Sequence, residues 1–140
     1  MLKEDCVFCN IIQKQTQAKI VFEDELVIAF LDIDPISEGH TLVIPKNHYD
    51  DFLDVDEETL KHVITIAQIV AKKIFIGLKP DGLNVVQNNK EAAGQVIFHY
   101  HMHLIPRWSN DGMKMLNIQA AVDKDLFSIM DQTLEKIKDA

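Results

Sequence analysis

Residues 94–108, GQVIFHYHMHLIPRW, place His99, His101 and His103 at every second position, three of the six histidines in the chain. Side chains at i, i+2 and i+4 of a strand share a face and rise roughly 3.3 Å per residue. The outer imidazoles would then stand about 13 Å apart, too far for one ion with Zn–N bonds near ~2.0 Å to take all three. The run predicts a row of sites, in which one imidazole attacks an electrophile while a neighbour serves the leaving group. Imidazole suits both tasks because it titrates near neutrality and has two distinct nitrogens. A merely polar sheet face is the plainer reading, and it suits a lone histidine better than three in alternation.

Other chemistry-bearing residues lie upstream. Asn88, Gly94 and Gln95 bracket NKEAA. Glycine lets backbone approach a ligand and amide side chains offer neutral donors to phosphate oxygens, although Asn and Gly are also ordinary turn residues. SEGHTLVIPKNH adds His40 and His48, each an ordinary surface histidine unless a sheet brings it beside the triad. His62 sits in a helical stretch without a partner pattern and reads as structural or solvent-facing. The two cysteines, Cys6 and Cys9, form one C-x-x-C. No strand precedes the pair, which disfavours a redox motif. Two inert thiols, or half of a zinc site completed by histidines, remain.

Several elements must position these residues. Val21–Phe22 and Leu26–Leu31 read as a hairpin around Glu23-Asp24-Glu25, and 40–45 as a third strand ended by Pro45. A capping box at Asp54 and Glu57 opens a helix of about 20 residues with Leu60, Val63, Ile64, Ala67, Val70, Ala71, Ile74 and Leu78 on its core face. Lys79-Pro80-Asp81-Gly82 stops it. Residues 83–88 and 95–106 read as the fourth and fifth strands. Ser109–Ala121 lack a pattern, and Leu126, Ile129, Met130, Leu134 and Ile137 suggest a shorter helix. The expectation is an α+β fold: an antiparallel five-stranded sheet with one long and one shorter helix. Residues 1–140 would form one domain, with a motif-bearing core over 6–107 and an extension over 108–140.

Apolar residues make up 47% of the chain, enough for a core. The net charge of −8 disfavours nucleic acid as a partner, while local donors can still hold a small anionic ligand. No stretch reads as a signal peptide or a membrane span, so a cytoplasmic protein away from membranes is expected.

The run HYHMHLI matches His-φ-His-φ-His-φ-φ, with φ apolar, and resembles the histidine triad (HIT) family of nucleotide hydrolases and transferases. The likeness extends to CVFCNII, AFLDI, SEGHTLVIPKNH, VVQNN and GQVIFHYHMHLIPR, spanning residues 6–107. It is nearest to the bacterial Hit-like branch with an N-terminal C-x-x-C. The resemblance implies His101 as the nucleophile that takes a nucleotidyl group, and His103 as a contact to the α-phosphate and leaving group. It implies His40 as a buttress of the nucleophile, and Asn88, Gly94 and Gln95 as binders of the α-phosphate side. Asp32 would hold the ribose hydroxyls, and Val7, Phe8, Ile11 and Leu42 would clamp the base. Many members carry Ser or Thr where this chain has Val96, which leaves a backbone donor there and bears on the leaving group. In the zinc-bearing branch, and in the distantly related galactose-1-phosphate uridylyltransferases, two cysteines join two histidines. Here that set is Cys6, Cys9, His48 and His99, holding a structural Zn2+ that the chemistry does not require. A homodimer through the long helix and a continued sheet is also implied.

The implied substrates are purine nucleotide conjugates, adenosine or guanosine, of three kinds: phosphoramidates, dinucleoside polyphosphates and acyl adenylates. Two other functions compete. A metal-dependent hydrolase would hold a catalytic ion on two triad histidines, but no clear carboxylate or further histidine stands at chelating spacing beyond the triad. A nucleotide-binding regulatory protein with negligible turnover would share the same pocket.

Overall fold

A computed structural model of the chain describes residues 2–112 and 128–138. The chain divides into two compact units, Met1–Ser109 and Asn110–Ala140. In the first, β1 (Ile20–Glu23), β2 (Val27–Leu31), β3 (Thr41–Pro45), β4 (Gly82–Val86) and β5 (Met102–Arg107) form one sheet in the order β1-β2-β3-β5-β4. Every neighbouring pair is antiparallel. This is the expected α+β architecture.

Register assigns the two faces. Ala29 pairs with Val43 and Val43 with Met102, and all three are buried beneath α2 (Glu57–Leu78). Phe30 pairs with Leu42 and Leu42 with His103, which puts the last histidine on the opposite face. There the core is completed by α1 (Val7–Ile12), whose Phe8, Cys9 and Ile11 pack against Ile28, Phe30, Leu42 and Ile44. Six residues are too few for a helix to hold itself in water, so packing keeps α1 formed. Phe8 meets Phe30 edge-on at 5.5 Å between ring centroids. Its burial contributes about 1.5–3 kcal/mol. Sequence reasoning missed this helix, although Phe8, Ile11 and Ile12 have helical spacing.

The long helix starts two residues later than the capping box implied. Asp54 belongs to a preceding turn, its N–H bonded to Asp51 O at 3.2 Å. Asp56 is the cap: it accepts from Thr59 N at 3.1 Å and from Tyr49 Oη–H at 2.6 Å. Val63, Ala67, Val70 and Ile74 of the expected face are buried, Ile66 joins them, and Ile64 is 52% exposed on the flank. Lys79, at φ 52°, ends the helix with its N–H on Phe75 O. His62 does have a partner, in the β1–β2 turn: its Nε2 lies 2.6 Å from Asp24 Oδ2. Asp24 Oδ1 accepts from Leu26 and Val27 N–H, which forms that turn.

The largest departure concerns the histidine strand. Sequence alternation predicted a strand over 95–106, but β5 begins at Met102, so of the three histidines only His103 is in the sheet. Residues 95–101 place their hydrogen bonds elsewhere. Tyr100 N donates to Tyr49 O at 2.7 Å and His99 Nε2 to Pro45 O at 2.8 Å. The fourth strand is also shorter than expected, ending at Val86.

In the second unit the described residues include α3 (Met130–Lys138). Asp131 lies in its first turn and Lys136 and Lys138 in its last, each favourable to the helix dipole. Ile129, Met130, Leu134 and Ile137 are exposed, between 42% and 69%. Leu126, and residues 113–121 of the patternless stretch, lie outside the described residues.

Candidate active site and metal centre

Cys6 caps α1, its Sγ accepting from Cys9 N at 3.4 Å, and Cys9 follows one helical turn later. Both thiols thereby face the end of β3, where His48 and His99 arrive from separate loops. Cys6 Sγ lies 3.5 Å from His99 Nδ1; Cys9 Sγ lies 3.3 Å from His48 Nδ1 and 3.6 Å from His99 Nδ1. With Zn–S near ~2.3 Å and Zn–N near ~2.0 Å, a tetrahedral centre has sulfur–nitrogen edges of about 3.5 Å. All four donor atoms lie within 4.8 Å of one another.

The far nitrogens complete the fit. His99 Nε2–H donates to Pro45 O and His48 Nε2–H to Asp50 Oδ1, each at 2.8 Å. Each neutral ring then keeps its lone pair on Nδ1, turned toward the thiols. Two thiols and two imidazoles this close together could hold a metal ion, and their chemistry suits zinc. Burial holds the Cys9 thiol above its ordinary pKa, so ligation would displace a proton. Burial likewise pushes His99 down to about 4. Asp50 is the member that sequence reading missed, and its only signal was its place two residues after His48.

Beside this centre, on the same face of the sheet, lies a cleft of about 500 Å3. Its floor carries His101, His103 and His40, and its walls include Phe8, Leu42 and Asp32. Backbone contacts decide the state of each imidazole. His101 Nδ1–H donates to His99 O at 2.7 Å, which leaves the lone pair on Nε2. His40 Nδ1 accepts from Ile36 N at 3.1 Å, so its proton sits on Nε2. That proton is given to His103 Nδ1 at 2.9 Å, so His103 carries its own proton on Nε2. Adjacent rings, 4.8 Å apart, thus offer the cleft an electron pair from His101 and an N–H from His103. Burial keeps these groups neutral: it lowers His40 and His101 and pushes His103 to about 4.

The structure brings most of the expected site residues together. Asn88, Gly94, Val96 and Val7 line the cleft, Val96 with 81% of its surface exposed. Gly94 is at φ +89°, and a Cβ there would meet only Asn88 Nδ2, at 3.8 Å. Two residues are placed elsewhere. Ile11 is buried in the core under α1. Gln95 is 3% exposed and its amide is spent inside the loop: Oε1 accepts from Lys90 N, and Nε2 donates to Asp50 O and Ile97 O. Nor does His40 touch the expected nucleophile directly; its partner is His103. Ile33, Ile36 and Ile97 line the cleft without having been expected: Ile33 and Ile36 are isolated in a loop, and Ile97 falls in the stretch read as a strand.

A carboxylate does approach the histidines, contrary to the sequence reading. Asp32 Oδ2 lies 3.5 Å from His40 Nε2, and Asp32, His40 and His103 bring their donor atoms within 4.8 Å of one another. Ligation through His40 Nε2 would require its proton to move to Nδ1, against the Ile36 N–H. The trio is therefore better suited to hydrogen bonding than to an ion.

An antiparallel five-stranded sheet with helices is the architecture this chain shares with a solved HIT family protein from Bacillus anthracis, 38% identical with a TM-score of 0.79 over 95% of this chain and 96% of that one. The family model of the HIT domain matches residues 13–110, and the chain belongs to the HIT family. Protein hit of Bacillus subtilis is 46% identical over 105 residues, covering 75% of this chain and 72% of that protein. Adenylylsulfatase HINT3 of Arabidopsis thaliana is 37% identical over 110 residues, 79% of this chain and 56% of that protein. A zinc-bound histidine triad protein from Mycobacterium smegmatis is 39% identical, with a TM-score of 0.76 over 79% of this chain and 81% of that one.

Proposed function

We propose that the chain is a nucleotidyl hydrolase or transferase acting at the α-phosphate of a purine nucleotide conjugate. The observation that carries this is the pair of opposite front nitrogens, bare on His101 and protonated on His103, in one cleft. His101 Nε2 attacks phosphorus, the bond to the leaving group breaks, and the departing atom takes the electron pair. His103 Nε2–H hydrogen-bonds to that atom. The positive charge arising on His101 is stabilised by the His99 carbonyl at Nδ1–H. Water or another acceptor then takes the nucleotidyl group, loses a proton to solvent, and returns the electron pair to Nε2. The reading assigns Asp32 to the ribose hydroxyls, Phe8, Val7 and Leu42 to the base, and Asn88 with the Gly94 and Val96 backbone to the phosphate; all of them line the cleft. The adenylylsulfatase name of one relative supports an adenylyl group and a good anionic leaving group.

Zinc is the ion proposed for Cys6, Cys9, His48 and His99, with a structural role. Two free buried cysteines suit a cytoplasmic setting. A second copy is the proposed partner, beside the edge strand β4, where Val85 and Ile64 of the neighbouring helix are 53% and 52% exposed. Among the described residues no helix is long and apolar enough to cross a membrane.

The test is chemical trapping. An α-32P-labelled adenylyl conjugate, quenched during turnover, should leave label on His101. His101→Ala should abolish label and turnover while still binding AMP. Turnover by His101→Ala at the wild-type rate would refute the assignment, and AMP binding without any turnover by the wild type would favour a regulatory protein.

A further inference from the structure

The metal donors and the cleft share two short stretches of chain. In Cys6-Val7-Phe8-Cys9 the outer residues belong to the donor group and the inner two line the cleft. The Phe8 ring stands 5.2 Å from that of His101 and 5.9 Å from that of His99, edge-on to both. The second stretch runs from His99 to His101. His99 turns Nδ1 toward the thiols, while its carbonyl oxygen accepts the proton of His101 Nδ1. One residue thus serves both sites, with its ring in the donor group and its carbonyl fixing which nitrogen of the nucleophile is bare.

Apart from the donor group, the first stretch is held by the packing of α1 on the sheet and the second by the bonds of Tyr100 N and His99 Nε2 to Tyr49 O and Pro45 O. The helix that presents Val7 and Phe8 has six residues, and outside its own packing its fixed point is the pair of thiols. His48 closes the group from the far side, held by Asp50 and packed at 4.8 Å against the His99 ring. When the four donors converge on one ion, the Val7–Phe8 wall and the His99 carbonyl are fixed together. When they do not, the thiols keep only weak contacts with the two imidazoles, and both links to the cleft lose that common tie.

We propose that the ion held by Cys6, Cys9, His48 and His99 is thermodynamically coupled to the nucleotide in the cleft. The links are the Val7–Phe8 wall and the His99 carbonyl, and His99 is a positioning residue for His101. The inference rests on the nucleotide reading of the cleft and adds that the metal is more than a fastening for the fold. Coupling of this kind is reciprocal: whatever factor the metal adds to nucleotide affinity, the nucleotide adds to metal affinity.

The experiment measures both directions. AMP affinity is titrated calorimetrically on zinc-loaded and on chelator-stripped protein, with circular dichroism confirming that the stripped chain is folded. Zinc affinity is measured by competition with a chromogenic chelator, with and without saturating AMP. Loaded protein should bind AMP at least about fivefold more tightly, and AMP should strengthen zinc binding by the same factor. Cobalt(II)-substituted protein should also change its visible spectrum when AMP binds. Should the stripped chain unfold, the cobalt spectrum decides alone, because the competition populates the stripped chain and only the spectrum is read on loaded protein throughout. AMP affinity or zinc affinity that is unchanged within twofold, with an unchanged cobalt spectrum, overturns the coupling and leaves the nucleotide reading intact. Failure of loaded protein to bind AMP at all overturns both.

Discussion

Asp50 touches no proposed metal donor atom directly, yet its removal should weaken metal binding. Its Oδ1 accepts from His48 Nε2–H at 2.8 Å and so keeps the His48 lone pair on Nδ1, 3.3 Å from Cys9 Sγ. The His48 hydrogen bond, helped by Lys3, holds the Asp50 carboxyl below its ordinary pKa, so the acceptor is charged at any working pH. In Asp50→Ala the ring can rotate and exchange tautomers, so that part of its neutral population presents the wrong nitrogen. Loss of such an outer partner costs 10–100-fold in metal affinity, or about 1.4–2.7 kcal/mol. The Lys3–Asp50 contact at 3.3 Å is exposed and contributes little to the difference. Competition against a chromogenic chelator measures the affinity, and thermal melts at fixed free zinc should show the same deficit in loaded protein alone. Asp50→Asn keeps an acceptor oxygen without the charge and should fall between the two. Wild-type zinc affinity in Asp50→Ala would refute the reasoning, because something other than this carboxylate would then be orienting His48.

Two further outcomes concern the scaffold. Gly39 is at φ +82°, and a Cβ there would press on Leu78 Cδ1 and lie 3.4 Å from Pro106 Cγ. Gly39→Ala should destabilise by about 1–2 kcal/mol for the backbone and a further ~1 kcal/mol for repacking Leu78. Gly94→Ala, with a similar φ and an open surround, isolates the backbone part, so equal urea midpoints for the two variants would contradict the clash. Asp56 is held at about 2 by the Thr59 side chain, the Tyr49 hydroxyl and the Thr59 amide. Its folded pKa lies below the unfolded value of about 3.9, so its contribution is complete above pH ~5 and disappears as pH falls toward ~2. The gap between wild type and Asp56→Ala in urea midpoint should close over that window; a gap that persists at pH 2 would mean that charge is not what the cap supplies.

Side-chain identity was legible in the sequence wherever chemistry demands a rare residue. Two cysteines three residues apart and three alternating histidines mark candidate chemistry by type and spacing alone. What was not legible was where the backbone hydrogen bonds go. Alternation at 95–106 is the same whether a segment pairs with a neighbour or not, and Tyr100 N, bonded to Tyr49 O, takes the segment out of the ladder. Gln95 had the composition of a phosphate donor, but Lys90 N, Asp50 O and Ile97 O are local partners that no sequence pattern reveals. The capping box moved for a similar reason. Asp54 and Asp56 are equivalent by type, and Asp56 also receives the Tyr49 hydroxyl.

The same distinction explains how one residue type performs several tasks within a few ångströms. A histidine whose rear nitrogen faces an oxygen acceptor must put its proton there and present a bare front nitrogen. That describes His48 against Asp50, His99 against Pro45 O, and His101 against His99 O. Where the rear nitrogen faces a donor, as His40 faces Ile36 N–H, the proton moves to the front and passes the opposite preference to His103. Three of these four rear partners are main-chain groups. Function is therefore distributed by the course of the backbone through 36–40, 45–50 and 97–101. A loop change that turned the Ile36 amide away from His40 would alter the proton available at His103 while leaving every histidine in place.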